Sequence, residues 1–243
     1  MLVRTIDGEA ALRQVGRLRY ERFVEERRCA LPYADHENRL LLEPLDRTAV
    51  LLGGYCADEL LGSARLNFGM PEGYRRLYGL AECRPEHHGR VSVTSRLVVS
   101  RRVRSLGRAA LRLSQGCFDE AVARGVWLNF IDCNAPLRGF FRALGFVELG
   151  GAARDEVFGE VQPMVLVLPA ADWFRRLRSP FHARAAAGFG TADLAAALGL
   201  LRMLAPRVDS APLWAAAPAE CGEGSPPAEP LPGADLTAPA SPC

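Results

Sequence analysis

The chain has 243 residues, of which 49% are hydrophobic and 24% are charged, so it can bury one substantial core, or one domain with a tail. Its formal net charge is only +2, so no strong overall field indicates a nucleic-acid partner. All 30 basic residues are arginine, which codon bias in a GC-rich genome would explain. Lysine is therefore excluded as a Schiff base or phosphate ligand, and arginine must make every contact to anions.

Cysteine usage and hydropathy place the chain in a reducing compartment. Seven cysteines are scattered without a C-x-x-C pair, which supports neither a zinc knuckle nor a redox dithiol. The N-terminal sequence MLVRTIDGEA lacks the apolar core of a signal peptide. No stretch approaches the roughly 20 apolar residues of a membrane span. We therefore expect a cytoplasmic protein without a metal site or a transmembrane segment.

The N-terminal part is predicted to form a helix followed by a polar loop. Apolar residues recur on one face between residues 9 and 28, beside arginine and glutamate, as in an amphipathic helix. The next stretch, ALPYADHENR, carries Asp35, His36 and Glu37. These three side chains could act as a cluster of bases, but a solvated loop is the simpler interpretation.

Three strands are predicted after this loop. The runs at 49–55 and 60–68 are separated by the turn residues CADE, which predicts an antiparallel hairpin. In the second run apolar and polar residues alternate, and this places Arg65 opposite the apolar face. A connection containing glycine and proline then leads to the strand VSVTSRLVVS at 91–100.

The remainder of the predicted domain alternates helices and strands. A helix with an apolar stripe begins at Ser105 and ends at Gly125, a residue suited to the C-cap. Strands at 126–132 and 161–169 flank a short helix at 135–144. The order predicts a mixed α/β fold with one central sheet flanked by helices.

The composition divides the chain into three segments. Residues 1–169 are predicted to form the folded domain. Residues 170–204 are alanine-rich and helical, and they could form a lid, a dimer contact or a covering layer. Residues 205–243 are rich in proline, alanine and glycine, so we expect them to be disordered.

The turn after the strand at 91–100 carries the strongest chemical signal. Arg104-x-x-Gly107-x-Ala109 closes the strand and opens the helix. A glycine lets the backbone approach a ligand closely, and the first N–H groups of a helix favour a pyrophosphate. A solvated helix start with biased arginine usage would look the same. The arginines that surround the turn are Arg101, Arg102, Arg104, Arg108 and Arg112.

The turn resembles the acyl-CoA-binding motif of the GNAT N-acyltransferase superfamily, Q/R-x-x-G-x-G/A after a strand. The stretch WLNFIDCN, followed by FFRALGF, resembles the second signature of that superfamily, so the resemblance covers residues 91–149. It implies the GNAT fold, an α/β fold whose mixed central sheet has two splayed strands that hold a pantetheine arm. The residues that it implies for binding the donor are Leu97, Val98, Val99, Arg104, Gly107, Arg108, Ala109 and Asn134.

The N-terminal half resembles the acyl-homoserine-lactone synthases and the related long-chain N-acyl amino acid synthases, which share that fold. The resemblance rests on the run R-L-R-Y-E-R-F-V-E-E, on acidic residues near 43–46, and on the spacing from Arg65 to the Ser-Arg pair ending at Arg96. The stretch E-P-L-D matches their acidic E-x-D-x-x-D cluster poorly, which favours an amino-acid acceptor over S-adenosylmethionine. The resemblance assigns catalysis to Arg96 and Glu43, and substrate binding to Arg19, Phe23, Asp46, Arg65 and Phe141.

Each of these residues also has a structural interpretation. Arg19 and Arg96 could pair with Glu43 or Asp46 and so join the N-terminal helix to the sheet. Phe23 could be an ordinary core aromatic. Both roles can hold together for the arginines.

Two side chains that the resemblance leads us to expect are replaced. Phe141 stands where many GNAT enzymes have a tyrosine that protonates the leaving thiolate. Val93 stands where the lactone synthases have a glutamate. Glu43, the loop carboxylates or a chain of waters could supply the missing base, and the sequence does not choose among them.

The resemblance implies an N-acyltransferase that moves a medium or long acyl chain to the amine of an amino acid or similar small molecule. The donor would be an acyl-CoA or an acyl carrier protein, with no permanently bound cofactor. The arginines at 101–112 suit the 3′-phosphate of coenzyme A and an acidic carrier protein equally. We expect the acyl chain to enter a pocket lined by the N-terminal half. The alternatives are an acetyl-CoA-dependent acetyltransferase and a catalytically silent sensor of acyl thioesters.

Overall fold

A mixed sheet of eight strands forms the centre of the fold in the computed structural model, which describes residues 1–206. The strands are β1 (Leu2–Thr5), β2 (Ala34–Asp35), β3 (Leu40–Leu41), β4 (Ala49–Cys56), β5 (Glu59–Phe68), β6 (Val91–Val99), β7 (Leu128–Cys133), β8 (Val147–Glu148), β9 (Ala153–Asp155) and β10 (Gly159–Val167). The main path follows the order β1, β4, β5, β6, β7, β10, β8, with β9 paired to β10, while β2 and β3 form a separate hairpin. Only β6 and β7 are parallel neighbours in this sheet.

Helices cover both faces of the sheet. They are α1 (Glu9–Arg19), α2 (Glu72–Leu77), α3 (Leu106–Ala123), α4 (Arg138–Leu144), α5 (Ala171–Arg176), α6 (His182–Gly188) and α7 (Thr191–Leu204). The hydroxyl of Ser105 caps α3 by accepting the N–H of Arg108. At the end of α4, Gly145 adopts a φ of 111°, a left-handed conformation that glycine reaches without steric cost.

The predicted elements are confirmed for the most part. Pairing from Ala49↔Asn67 to Cys56↔Glu59 forms the expected hairpin. The N-terminal helix differs from the expected single α-helix, since its last part, Tyr20–Glu26, is a π-helix. The segment predicted as an alanine-rich extension contains α5, α6 and α7. Residues 207–243, most of the predicted disordered tail, lie outside the described residues.

The parallel strands β6 and β7 separate part-way along their length. They pair only from Val91↔Leu128 to Val93↔Phe130, although both strands continue beyond these residues. On its other edge β6 contains a bulge, because three residue steps from Ser95 to Val98 face two steps on β5. The open wedge between β6 and β7 matches the splayed pair of strands that the resemblance to the GNAT superfamily implies.

Two large apolar cores lie on the two sides of the strands that splay. One combines β6, β7 and β10 with α7, for example Val93, Phe130 and Leu200. The other packs α3, α4, α5 and α6 against the sheet, for example through Phe118 and Phe174. The C-terminal helices thus belong to the same packed body as the sheet.

Residues 1–206 offer neither a single membrane-spanning helix nor a cluster of metal-binding side chains. No single helix there has the length and apolarity to cross a membrane. Taken together, α6 and α7 are long and apolar enough, but the chain bends by 103° between them. The same residues contain no group of three or more histidine, cysteine, aspartate or glutamate side chains placed to hold a metal ion.

Candidate active site

A cavity of about 810 Å³ opens in the wedge between β6 and β7. Residues 94–99 of β6 line it without interruption, as do residues 131–134 at the end of β7. Beyond Val93 the edge of β6 that faces β7 has no strand partner. Its backbone amides can therefore hydrogen-bond to a ligand that lies in the wedge.

One part of the cavity, the apolar arm, is lined by hydrocarbon and aromatic side chains from the C-terminal half. The lining includes two thiols, Cys117 and Cys133, and burial raises the pKa of each to about 12, so both are neutral. An acyl pocket was expected in the N-terminal half, whereas the apolar walls of this cavity come from β6, α3, α4, β10 and the residue before α6. Its other walls include Leu97, Ala110, Ile131, Phe141, Phe146 and Leu166.

Stacked aromatic rings form one wall of the apolar arm. The rings of Phe118 and Phe181 lie 4.4 Å apart at an interplanar angle of 15°, and both line the cavity. Phe174 packs edge-on against both rings. Phe181 is 1% exposed and precedes α6, so the connection between α5 and α6 contributes directly to the cavity.

The second part of the cavity, the polar arm, carries charged side chains. Phe23 and Phe158 meet edge-to-face at 5.8 Å and form one of its walls. Arg22, buried in the π-helical segment, also lines it and pairs with Glu26. Other polar groups that line this arm are Arg27, Tyr74, Arg96, Asp132, Arg154 and Asp155.

Arg96 lines the cavity from β6, next to the apolar residue Leu97. Both of its terminal hydrogen bonds go to Glu43, from Nε to Oε2 and from Nη2 to Oε1, each at 2.6 Å. Its guanidinium also stacks 5.0 Å from the ring of Phe158. The backbone φ of 52° is left-handed, which is strained for a residue with a side chain. These contacts hold Arg96 in a single orientation.

Arg65 connects Glu43 to the rest of a buried ionic network. It donates to Glu43 at 2.8 Å, to Asp46 at 3.3 Å and to the hydroxyl of Ser95 at 3.0 Å. Arg19 donates to both oxygens of Asp46 at 2.8 Å. The sequence therefore identified a set of residues that the fold does bring together.

The network is buried behind the cavity surface. Glu43, Arg19, Asp46 and Arg65 are absent from the described residues that line the cavity, whereas Arg96 is present. Glu43 is the one of these four that contacts Arg96, while Arg19, Asp46 and Arg65 connect α1 to the sheet. Direct substrate contact, as expected for three of them, has no support in this arrangement.

Burial and ion pairing act against each other in this network. Burial opposes the charge of Arg96, but the hydrogen bonds and charge of Glu43 outweigh it and raise the pKa of the guanidinium. Burial also disfavours ionised Glu43, yet its arginine partners hold the pKa of that carboxyl below its usual value. Glu43 is thus an anion at neutral pH, tied to two cations, and a poor proton acceptor.

The start of α3, where a phosphate-binding turn is predicted, is open to solvent at its glycine. A Cβ added to Gly107 would meet no atom within 4 Å, so the backbone is open to a ligand there. Arg104 and Arg108 are exposed beside it, and Ala109 is buried beneath. Among the surrounding arginines, Arg101 pairs with Glu26 and Arg102 with Glu59.

The structure also locates Asn134, Phe141 and the polar loop residues 35–37, which the sequence offered as candidates. Asn134 lines the wedge, but its side-chain amide donates to the carbonyls of Phe158 and Glu160 at 3.2 and 3.3 Å. Phe141 lines the apolar arm and is 7% exposed. In the polar loop, the Asp35 carboxylate accepts hydrogen bonds from the backbone and side-chain amides of Asn38. None of the loop residues 35–37 is among the described residues that line the cavity.

Sequence reasoning missed Asp132 and Tyr78. The Tyr78 hydroxyl donates to Asp132 Oδ1 at 2.6 Å, across 54 residues of sequence. Asp132 lines the cavity from the splayed end of β7. The available signal was one acidic residue inside the apolar strand sequence WLNFIDCN, since such a residue is rarely buried without a partner.

The family model for N-acyl amino acid synthase FeeM matches residues 14–168 of the chain. That range is more than half of the sequence and includes the splayed strands, α3 and the ionic network. It ends before α5, so Phe181 and the helices α5, α6 and α7 lie beyond it. A comparison with curated protein sequences gives no significant match.

Solved structures share the fold at low sequence identity. BjaI, a CoA-dependent acyl-homoserine lactone synthase with SAM and isopentyl-CoA, is 20% identical over 77% of this chain and 90% of its own, at a TM-score of 0.56. TofI, in a ternary complex with an inhibitor and MTA, is 19% identical over 75% of this chain and 99% of its own, at a TM-score of 0.58. An aminoglycoside 6′-acetyltransferase type Ii is 17% identical over 69% of this chain and 97% of its own, at a TM-score of 0.50.

Proposed function

Because the chain belongs to the FeeM family of N-acyl amino acid synthases, and is thus an N-acyltransferase, we propose that it transfers a medium or long acyl chain to the α-amine of an amino acid. The donor in this proposal is a phosphopantetheine thioester, carried by coenzyme A or by an acyl carrier protein. The acyl chain occupies the apolar arm and the acceptor occupies the polar arm, so the two substrates meet at the splay.

The observation that carries the proposal is the apolar arm itself. Its walls run from Leu97 on β6 along α3 to Phe118, which lies on that helix, and to Phe181. Each methylene buried there contributes about 0.8 kcal/mol. An acetyl group would leave this arm unfilled, and an unfilled apolar cavity forfeits the packing energy of its walls. The arm therefore favours a hydrocarbon chain over acetyl.

The donor's polar parts fit the wedge and the turn beside it. The amides of a pantetheine arm would hydrogen-bond to the free edge of β6 at Leu97, Val98 and Val99. Its phosphate would lie at the start of α3, where the backbone at Gly107 is open and the helix dipole favours an anion. Arg104 and Arg108 are exposed at the same place and suit either a nucleotide phosphate or an acidic carrier protein.

The polar arm favours an acceptor that carries a carboxylate. Arg22 is 5% exposed, and its Nε has no hydrogen-bond partner in the described structure. Burial lowers the pKa of this guanidinium, so an added anion would stabilise its charge. The carboxylate of an amino acid supplies such an anion, and Arg27 and Arg154 line the same arm.

The reaction needs a neutral amine and a polarised carbonyl. Backbone N–H groups on the free edge of β6 would polarise the thioester carbonyl and bind the developing oxyanion. Arg96, fixed by Glu43, would orient the acceptor beside the carbonyl. Phe141 cannot donate a proton, so the sulfur would leave as a thiolate and take its proton from the reacting amine or water.

A product survey tests the proposal. The purified protein is incubated with acetyl, octanoyl and hexadecanoyl donors on coenzyme A and on acyl carrier protein, together with a panel of amino acids, and products are identified by mass spectrometry. We expect N-acyl amino acids from the longer donors. Turnover of acetyl-CoA alone would contradict the proposal and make the protein an acetyltransferase.

A further inference from the structure

Asp132 occupies a place in the wedge that the proposed function leaves without a role. It lies on β7 two residues beyond Phe130, the last residue that pairs with β6. Side chains two apart on a strand share a face, and Phe130 packs with Tyr78, to which Asp132 is hydrogen-bonded. Asp132 therefore faces the polar arm from the strand opposite Arg96.

The groups around Asp132 come from three other elements. Tyr78, which follows α2, donates a hydrogen bond at 2.6 Å to Oδ1. Arg96 on β6 and Asp155 on β9 line the same cavity and act on Asp132 through their charges. The hydrogen bond from Tyr78 engages Oδ1, which leaves Oδ2 available to a proton.

Burial sets the acidity of this pair. It raises the pKa of Asp132, and the hydrogen bond from Tyr78 opposes that effect only in part. Burial together with the charge of Asp132 also raises the pKa of Tyr78 well above its usual value, so the tyrosine stays a neutral donor. A carboxylate with a raised pKa accepts a proton from an ammonium group more readily than an ordinary aspartate does.

Two other carboxylates at the cavity are already committed, and a third, Glu156, is exposed to solvent. Glu72 is held by Arg75 and Arg76, which lower its pKa to about 2. Asp155 Oδ1 accepts the backbone N–H groups of Val157 and Phe158 at 2.8 Å each. Glu43 is bound by arginines and does not line the cavity. No histidine is among the described residues that line it.

We propose that Asp132 is the general base of the acyl transfer, with Tyr78 as its positioning residue; this inference rests on the proposed function. The Asp132 carboxylate takes one proton from the acceptor's ammonium group, which becomes a neutral amine. The amine nitrogen attacks the thioester carbonyl, the C–N bond forms, and the C–S bond breaks with its electron pair on sulfur. The second nitrogen proton goes to the thiolate, and Asp132 releases the first to solvent.

The test compares D132N with the unchanged protein across pH. We expect kcat for an amino acid to fall by about 10²–10⁴-fold at pH 7, while binding of the acyl thioester is retained. Hydroxylamine is an acceptor that is already neutral at pH 7, so D132N should transfer the acyl group to it at close to the unchanged rate. E72Q is the matched control, because it removes another carboxylate from the same cavity, and it should behave as the unchanged protein.

Y78F provides a second variant that keeps the carboxylate. Loss of the hydroxyl removes a hydrogen bond that lowers the pKa of Asp132, so that pKa rises and the acidic limb of the kcat profile moves to higher pH. An unmoved limb in Y78F, or D132N with kcat within about threefold of the unchanged protein, would overturn the assignment. Absence of any N-acyl amino acid from the unchanged protein would instead overturn the proposed function, and the inference with it.

Discussion

At the scale of single residues, the ionic network explains why an arginine-rich chain buries three arginines beside its active site. Arg19 and Arg65 are 0% and 1% exposed, and Glu43 and Asp46 supply two carboxylates to three guanidinium groups. Paired charges are tolerated in an interior, but removal of one partner leaves an uncompensated charge. The network thus holds Arg96 in place only while both carboxylates are ionised.

Replacing Glu43 should destabilise the protein strongly. E43Q leaves Arg65 and Arg96 short of one anion, and the expected loss is about 3–5 kcal/mol of the free energy of unfolding. E59Q is the control, since the exposed pair Glu59–Arg102 contributes about 1 kcal/mol or less. Denaturant unfolding measures both variants, and a loss below about 1 kcal/mol for E43Q would contradict the buried-network account.

The same carboxyl predicts how stability depends on acidity. Its pKa is lowered in the folded protein, so Glu43 contributes stability above the ordinary value of 4.5, and this contribution is lost as pH falls through the folded value. The melting temperature of the unchanged protein should therefore drop below about pH 4.5 more steeply than that of E43Q. Parallel curves for the two proteins would show that Glu43 is not held ionised by the fold.

Gly107 tests the phosphate turn. The substitution G107V places a branched side chain in the open space at the start of α3, so binding of an acyl thioester should weaken by about tenfold or more, with the fold intact. G199V is the matched control, because Gly199 lies in α7 and its added Cβ also meets open space. Calorimetry measures both affinities, and equal affinity for G107V and the unchanged protein would remove the turn from the donor site.

Residue patterns predicted the network but not the base. The spacing of Arg65 and Arg96 within alternating strands marked residues that the sheet register then brought together, with Arg65 paired to Ser95. Asp132 had no comparable signal, because its partner Tyr78 is distant in sequence and belongs to no motif. A missing base at Val93 could be recognised from sequence, whereas a carboxylate on the neighbouring strand required the fold.

At the scale of elements, different parts of the fold form different walls of the cavity. The wedge exposes a strand edge for the donor, and α3 and α4 provide apolar walls. The loop before α6 adds Phe181 to one wall. The segment that sequence composition described only as a lid, a dimer contact or a covering layer thus reaches the candidate acyl site.

Truncation of Phe181 should change the preferred chain length. In F181A the arm extends where the ring stood, so the optimum should move to acyl chains longer by roughly two to four methylenes. L200A is the control, because Leu200 is equally buried in the core beneath α7, and it should lose similar stability without a change in preference. Competition among mixed donors, analysed by mass spectrometry, measures the shift; an unchanged optimum in F181A would show that this ring does not limit the chain.

Element boundaries were the easier part to predict, and element contacts the harder. Alternation and turn residues located the hairpin of β4 and β5 within a residue or two. The acyl pocket was expected in the N-terminal half, because motif positions there suggested substrate contacts. Its apolar lining comes from elements distant in sequence, whose packing no periodicity records.

At the scale of the whole molecule, one half of the sheet carries the buried ionic network and the other half carries the apolar walls of the cavity. Helix α1, the turn before β4, and strands β5 and β6 carry the buried charges, whereas β7 and β10 with α3, α4 and Phe181 line the apolar arm. Two motifs at the right separation were enough to predict this fold from sequence. The FeeM family match over residues 14–168 agrees with that prediction.

Removal of residues 207–243 should leave activity and melting temperature unchanged. The described helices end at Leu204, and the removed segment is rich in proline and alanine. The matched protein is the full chain, assayed for acyl transfer and by calorimetry at equal concentration. A large loss of either property after truncation at Pro206 would give this segment a role in the working enzyme.

Preference for a long acyl chain distinguishes the proposed synthase from an acetyltransferase, and one series of donors measures that preference. We measure kcat/KM for one amino acid with acetyl, octanoyl, dodecanoyl and hexadecanoyl thioesters of the carrier that supports turnover. We expect kcat/KM to rise by about fourfold per added methylene until the chain meets Phe118 and Phe181, and then to level off or fall. A maximum at acetyl, with decline for every longer chain, would contradict this expectation.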